Sequence, residues 1–474
     1  MKPSRRKICL LFLLVILGKT NAQDLSSKLA EALQHTLDSM HQVLNIKGLG
    51  AAVQLPNNAI WAGGSGVSTT SPLDSISGGH VFEMGSSSKT ITAACVLQLA
   101  DEGVLSLDDS LHTWLDTFQH ISPNITIRQL LRHQSGIYDV LQNPAFNVAM
   151  SQNINQIWSF ENVITSFIKA PAFQPGTSWA YSNTNYILLG MIIEAATGHT
   201  YHQELTDRFF TPLSLGSYSN PAYDLLPSPL AHLWLDITGD GVLDDATNFL
   251  ATRKSVFSAI APAGGYYAKT SDLAQWIRTS MSGSLFSNEI WAEATSTVPS
   301  SLPGGTQYGL GLSKREYIGL TGLGHGGDLA GYSTQAYYFP EKDISIVVCG
   351  NDASINSWNL TNTISALLKT YIDCEENISL TIEPDSENIS VSVFPNPFFE
   401  EINVTINSPE NKAELIVQIL DIMGQEIWHS ELDYSAENEL FNLSINETEN
   451  WPNGIYILNI STDGKLLKSI KLMK

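Results

Sequence analysis

Met84-Gly85-Ser86-Ser87-Ser88-Lys89-Thr90 is the stretch on which the reading of this 474-residue chain turns. It leads into Ile91-Thr92-Ala93-Ala94-Cys95-Val96-Leu97-Gln98-Leu99-Ala100, apolar almost all round, which predicts a helix buried inside a domain rather than lying on its surface. Asp101-Glu102-Gly103 ends it, Gly103 being free to take a left-handed cap. Ser86 then stands at the N-terminal edge and Lys89 one turn on, so hydroxyl and amine share one face. The unpaired N–H groups and positive dipole end there favour a developing anion, and an amine within reach can shift the hydroxyl's proton. A serine so placed equally suits a plain capping role. Ser-x-x-Lys also occurs at Ser4 to Lys7 and at Ser166 to Lys169, so the motif alone decides nothing.

Composition narrows the classes. The net charge is −22, and the first 22 residues carry five bases and no acid, so their removal would leave −27. Such a chain repels nucleic acid and anionic membrane surfaces, and neither is expected as a partner. Residues 1–22 combine a basic start, an apolar core from Ile8 to Gly18 and Thr20-Asn21-Ala22 before Gln23, the pattern of a secretory signal peptide. Its apolar run is too short to span a bilayer, and later runs are too short or too broken, so no transmembrane segment is expected. Cys95, Cys349 and Cys374 remain past Ala22, an odd number without regular spacing, which predicts neither a disulfide framework nor a metal site.

Along the chain, residues 24–43 have helical periodicity, and Gly48 to Gln54 followed by Ala59 to Ala62 reads as a hairpin over Pro56-Asn57-Asn58. Helical signals follow at 127–133, 154–168, 183–197, 200–209 and 271–282. Strand signals return at 307–313, 321–325, 331–339 and 343–349, and a helix from Ile355 to Ile372 closes the unit. Residues 374–391 hold five acids and no base, which fits an extended, self-repelling linker. From 392 on, short alternating stretches at 401–407, 413–421, 426–432, 439–443, 455–461 and 466–473 predict a small β-sandwich. The expected organisation is therefore a signal peptide (1–22), an α+β domain (23–373), an acidic linker (374–391) and a C-terminal sandwich (392–474).

Two further stretches could serve a nucleophilic serine. Tyr181-Ser182-Asn183 runs straight into the apolar helix Tyr186-Ile187-Leu188-Leu189-Gly190, and a phenol beside an ammonium could have its pKa lowered enough to act as a base. His325-Gly326-Gly327-Asp328 lies before strands, where glycines allow a substrate to approach an edge and a backbone N–H could complete an oxyanion hole. A structural tyrosine and a solvated histidine are the plainer readings of each. No Gly-x-Ser-x-Gly elbow and no triad arrangement is evident.

Taken together, Ser86-x-x-Lys89, Tyr181-Ser182-Asn183 and His325-Gly326-Gly327, in that order and context, resemble the penicillin-recognising serine hydrolases of the class C β-lactamase and D-alanyl-D-alanine carboxypeptidase type, which include esterases and D-aminopeptidases. Asp108 to Leu111, Thr126 to Ile137 and Ala263 to Leu273 support the resemblance, which runs from about residue 25 to 372. It implies an antiparallel sheet flanked by helices plus an all-helical lobe, with the site between them. It also implies that Ser86 attacks a carbonyl, Lys89 and Tyr181 move the proton, Asn183 holds the substrate's amide or polar tail, and the N–H groups of Ser86 and Asp328 hold the oxyanion. His325 would join the catalytic group, with Gly326 and Gly327 lining the substrate. No metal or organic cofactor is implied, the substrate is a small molecule or peptide, and a monomer is expected.

The third motif departs from the lactamase pattern. Where those enzymes carry Lys-Thr-Gly and a hydroxyl residue, this chain has His325-Gly326-Gly327-Asp328, so the groups that bind a substrate carboxylate are missing or replaced by an acid. Poor β-lactam hydrolysis and better turnover of esters or amides lacking a free carboxylate are expected. A catalytically silent relative that binds peptidoglycan-like ligands is the rival reading. Asp236-Ile237-Thr238-Gly239-Asp240-Gly241-Val242-Leu243-Asp244 resembles a calcium loop, with Asp236, Thr238, Asp240 and Asp244 as ligands, but Thr247 stands where the bidentate acid belongs. An acidic turn is the alternative. In the tail, Val393-Phe394-Pro395-Asn396-Pro397-Phe398, Ile422 to Ile427 and Gly454 to Leu458 look like a C-terminal sorting domain of type IX secretion, implying passage through the periplasm to the cell surface or medium and contact with the secretion machinery. A carbohydrate-binding module is the alternative for the tail.

Overall fold

The computed structural model describes residues 27–250 and 253–380, and in the C-terminal part 390–394, 396, 398, 401–407, 415–421, 426–432, 440–446, 448, 451, 455–462 and 465–474. The signal-peptide reading, half of the linker and several turns of the tail lie outside these residues. The chain divides into two units, Met1–Glu375 and Glu376–Lys474.

The first unit is built on a nine-stranded sheet. In spatial order its strands are Leu73–Ser75, Ile60–Thr70, Gly48–Gln54, Ile344–Gly350, Tyr332–Phe339, Leu320–Leu329, Ser313–Tyr317, Gln307–Tyr308 and Val298–Pro299, each antiparallel to its neighbour. The early hairpin therefore pairs with the last strand, Val53 opposite Ile346. Successive side chains of a strand point to opposite faces, and here both faces are covered. Ile344, Ile346 and Val348 pack with Leu29, Leu33 and Leu37 of the Ser27–Leu44 helix and with Ile364, Leu367 and Leu368 of the Thr361–Leu380 helix. Val347 and Cys349 face the other way, into the core that holds the helix Lys89–Asp101 and the helix Thr270–Met281. The helical lobe, including Ile127–Leu131, Phe160–Phe167 and Asn183–Thr197, packs on that second face.

Several boundaries differ from expectation for local reasons. The second hairpin strand runs on past the expected end at Ala62 to Thr70, because Gly63, Gly64, Ser65 and Gly66 pair with Gly48 to Ala51. The helix expected from 154 starts only at Phe160, capped by Ser159, whose hydroxyl accepts from Asn162 N–H, and Trp158 N–H donates instead to Ser258. The strand expected over 307–313 breaks after Tyr308: Gly311 takes φ +82°, and a Cβ there would lie 2.1 Å from that of Ala93. That turn thus abuts the Lys89–Asp101 helix. The acidic segment after Cys374 begins as helix, not as extended linker, because the last helix continues to Leu380 and Glu375 there accepts from Tyr371 and Lys342.

In the second unit, strands Ser390–Phe394, Ile402–Asn407 and Leu440–Ile445 form one sheet and Glu426–Leu432, Leu415–Asp421, Ile455–Thr462 and Lys465–Met473 another. Ile402, Val404 and Ile406 of the first share one core with Val417, Ile419, Leu458 and Ile460 of the second, a small β-sandwich. No helix among the described residues is long and apolar enough to cross a membrane.

Candidate active site

Ser86 sits in a 3-10 turn, Gly85–Ser88, that runs directly into the Lys89–Asp101 helix. Gly103 closes that helix with φ +70°, as its position predicted. The turn is pressed against the Leu320–Leu329 strand. A Cβ on Gly85, whose φ is +53°, would lie 2.5 Å from Asp328 N, and one on Gly327 would lie 2.2 Å from Met84 O and 2.7 Å from Ser86 N. Only glycines permit such backbone contact, which sets the N–H groups of Ser86 and Asp328 beside each other. Ser87 Oγ pins the same junction by donating to His325 O at 3.1 Å.

Lys89 is fully buried and makes three polar contacts: Ser86 Oγ at 3.0 Å, Asn183 Oδ1 at 2.7 Å and Ala263 O. Burial brings its pKa down to about 7, against the pull of Asp139 and Glu83, so a large share of the amine is neutral near neutrality. Glu83, at the end of the strand leading into the turn, is a buried carboxyl pushed up to about 8 by burial. Its two oxygens accept from Gly85 N at 2.7 Å and Gly265 N at 3.1 Å. One side chain therefore ties the Ser86 turn to the turn that supplies Ala263 O.

Tyr181-Ser182-Asn183 is carried by the segment 133–139. Ala180 N donates to His133 O, Ser182 N to His133 Nδ1, and the His133 ring stacks on Tyr181 with centroids 4.2 Å apart. Asn183 opens its helix as predicted, with Oδ1 on Lys89 and Nδ2 donating to Asp139 Oδ2 at 2.9 Å. The amide expected to hold substrate is thus already engaged at both ends. Tyr181 meets the lysine through its ring, the ammonium nitrogen lying 5.0 Å from the centroid. Its buried hydroxyl has no hydrogen-bond partner among the described residues, although Ser86 stands close enough to oppose the rise in its pKa. The expected lowering of that pKa is overturned: burial raises the phenol well above its ordinary value and outweighs the lowering by Ser86.

On the Leu320–Leu329 strand, His325 and Gly327 face the nucleophile's side, while Gly326 points toward Gln335 and Ser357. Both nitrogens of His325 are occupied, Nε2 by Tyr308 Oη at 2.9 Å and Nδ1 by Gly326 O. Burial brings its pKa down to about 3, so the ring is neutral and supplies neither a free base nor a cation. Asp328 turns its carboxylate away as well, accepting from Ser333 Oγ, Ser357 N and Ser357 Oγ. Its backbone N is the part that lies against the Ser86 turn.

Sequence reasoning missed Glu83, His133 and Asp139. An acid inside the apolar run Val81-Phe82-Glu83-Met84 was the one available signal for the first; the other two look like ordinary loop residues. The carboxylates of the candidate calcium loop are engaged by the loop's own backbone. Asp236 accepts from Gly239, Asp240 and Gly241 N–H, Asp240 from Val242 N–H, and Asp244 from Ile237 N–H. Among the described residues no group of three or more His, Cys, Asp or Glu side chains is placed to share a metal ion.

Comparison with known proteins places the two parts of the chain in families. The family model described as Beta-lactamase matches residues 33–366, and the one described as Secretion system C-terminal sorting domain matches residues 392–474. Penicillin-binding protein 4* of Bacillus subtilis is 32% identical over 140 residues, 28% of this chain and 29% of that protein, so the match spans under a third of that relative. A D-aminopeptidase of Cereibacter sphaeroides is 24% identical over 388 residues, 77% of this chain and 71% of that protein. Among solved structures, a D-stereospecific amidohydrolase from Streptomyces sp. aligns with TM-score 0.60 and 29% identity over 69% of this chain and 95% of that one. The D-amino acid amidase of Ochrobactrum anthropi SV3 shares the fold, with TM-score 0.64 and 22% identity over 74% of this chain and all of that one. The chain therefore belongs to the beta-lactamase family of serine hydrolases, and it ends in a secretion-system sorting domain.

Proposed function

We propose that this protein opens amide or ester bonds through an acyl-Ser86 intermediate, and that its substrates are D-aminoacyl amides or related esters without a carboxylate near the scissile bond. The carrying observation is the buried Lys89 amine, 3.0 Å from Ser86 Oγ with its pKa near 7. As Oγ attacks the carbonyl carbon, the neutral amine takes the hydroxyl proton, and the carbonyl oxygen gathers charge between the N–H groups of Ser86 and Asp328. Collapse breaks the bond to the leaving nitrogen or oxygen, which receives a proton from Lys89 by way of the Tyr181 hydroxyl. Water then attacks the acyl carbon and gives its proton to the same pair, which passes it to Ser86 Oγ as the acyl bond breaks and the hydroxyl is restored. Tyr181 acts here as a neutral relay, in keeping with its raised pKa.

Substrate preference follows from charge. A neutral His325 stands where lactamases carry a cation, so that position offers no positive charge to a substrate carboxylate. Relatives named for D-amino acid amides and D-aminopeptidase activity point the same way. Export through the periplasm to the surface or medium is the role of the tail. Wild-type protein treated with a fluorophosphonate probe should gain one adduct, on Ser86, and should turn over D-aminoacyl p-nitroanilides faster than nitrocefin. Absence of any adduct would favour a silent ligand-binding relative, and faster nitrocefin turnover would refute the substrate assignment.

A further inference from the structure

We propose that Asp139 is a positioning residue of the acylation step: by fixing which way round the Asn183 amide lies, it aims the lone pair of Lys89 at Ser86. The inference rests on the hydrolase reading above and adds a residue to it.

Asp139 caps the Val140–Gln142 turn with Oδ1, which accepts from Leu141 N at 3.1 Å, leaving Oδ2 for Asn183 Nδ2 at 2.9 Å. A carboxylate can only accept, so the NH2 end of the amide must face it. Asn183 Oδ1 is thereby turned to Lys89 Nζ, at 2.7 Å. A neutral amine has two N–H bonds and one lone pair. Asn183 Oδ1 and Ala263 O are both pure acceptors, and each takes one N–H. The remaining contact of Nζ, with Ser86 Oγ at 3.0 Å, is then the one met by the lone pair, which is the geometry a base needs to accept the hydroxyl proton. With the amide reversed, its NH2 would point at Nζ and draw the lone pair away from Ser86. Once Lys89 is neutral its amine can accept as well as donate, and Asp139 is then the partner of Asn183 whose role is fixed.

Asp139 also acts by charge. The groups that face Lys89 are Glu83 beneath the nucleophile turn, Asp139, His133 and His325 beside it, and the rings of Tyr181 and Tyr186. Of the two carboxyls, Asp139 is the stronger in holding the lysine's proton, so removing its charge lowers the lysine's pKa further.

The test is the rate of Ser86 acylation by a fluorophosphonate and by an activated D-aminoacyl ester, followed against pH. Asp139→Asn should slow acylation by roughly 10²-fold, the cost of a misaimed proton acceptor, and move the acidic limb of kcat/KM to lower pH. Asn183→Asp, which sets two carboxyls face to face, should be as damaging. The double exchange Asp139→Asn with Asn183→Asp reverses the donor and acceptor ends of the pair while keeping an acceptor on Lys89. It should recover to within about tenfold of wild type, with the limb moved to higher pH because a carboxylate now touches the lysine. A double variant no faster than either single one overturns the proposal, as does an Asp139→Asn protein with unchanged rate and pH profile. Should Asp139→Asn alone not fold, the comparison of Asn183→Asp with the double variant still decides. If wild type itself is never acylated, the hydrolase reading fails; if wild type is acylated and these variants do not respond, only this proposal does.

Discussion

Gly327→Ala tests how the oxyanion donors are brought together. Gly327 lies in extended strand backbone, so alanine carries no conformational penalty of its own and the effect is purely one of contact. The added methyl would stand 2.2 Å from Met84 O, whereas contacts under 3.0 Å are essentially never found, so strand and turn must part by at least about 0.8 Å. Ser86 N, at 2.7 Å, is crowded in the same direction. Both neighbours are backbone, with no rotamer to yield. Such overpacking costs about 1–3 kcal/mol of stability, and a displacement approaching 1 Å between the two donors costs about 10²-fold in rate. The assay is kcat/KM on an activated ester together with thermal melting. Gly326→Ala provides the contrast, since its methyl would meet the side-chain nitrogen of Gln335 at 3.2 Å on the other face of the strand and should cost less. A folded Gly327→Ala enzyme within threefold of wild type, or a Gly326→Ala enzyme equally impaired, would refute the reasoning.

Acylation should rise with pH through about 7, where Lys89 loses its proton, and not near the ordinary 10.5; at pH 7 about half the lysines are then neutral, against roughly one in 3,000 without the shift. Lys89→Arg, always charged, should abolish that limb along with activity, and a limb persisting in it would rule the lysine out as base. Glu83→Ala leaves Gly85 N–H and Gly265 N–H without their acceptor and should cost about 1–3 kcal/mol for each, read by urea unfolding; equal loss in Glu83→Gln, which keeps one acceptor, would count against the tie. Because burial raises the folded pKa of Glu83 above its unfolded value, its share of stability is full below about 4.5 and fades as pH rises through about 8, so the stability gap between wild type and Glu83→Gln should narrow over that window. EDTA should leave melting unchanged, since the carboxylates of Asp236, Asp240 and Asp244 are held by their own loop; a clear fall in melting temperature would support the calcium reading.

Much of the fold is legible along the chain. The Asn183–Thr197 helix and the Ile344–Gly350 strand begin and end within a residue of where periodicity places them, because each is long and strongly patterned. The glycine-rich part of the Ile60–Thr70 strand was not legible, since what makes it a strand is a partner rather than its own side chains. The same division runs through the site. Ser86, Lys89, Tyr181 and Asn183 lie in short motifs at fixed spacing from helix starts, so their identity can be read locally. What they do there depends on burial and on partners distant in sequence, which no local pattern encodes.

The amino-acid order by itself determined which groups are available: one hydroxyl, one amine, one phenol and one amide, each set at the mouth of a helix that its own sequence specifies, with glycines where a strand must come close. Folding alone decided their states. Surrounding Lys89 with apolar atoms lowered its proton affinity, surrounding Tyr181 raised that of its phenol, and closing Tyr308 onto His325 left a ring with nothing to exchange. The reason is that a charge's energy depends on the dielectric and the dipoles around it, and those are assembled from Glu83, His133, Asp139 and Ala263, which meet only in three dimensions.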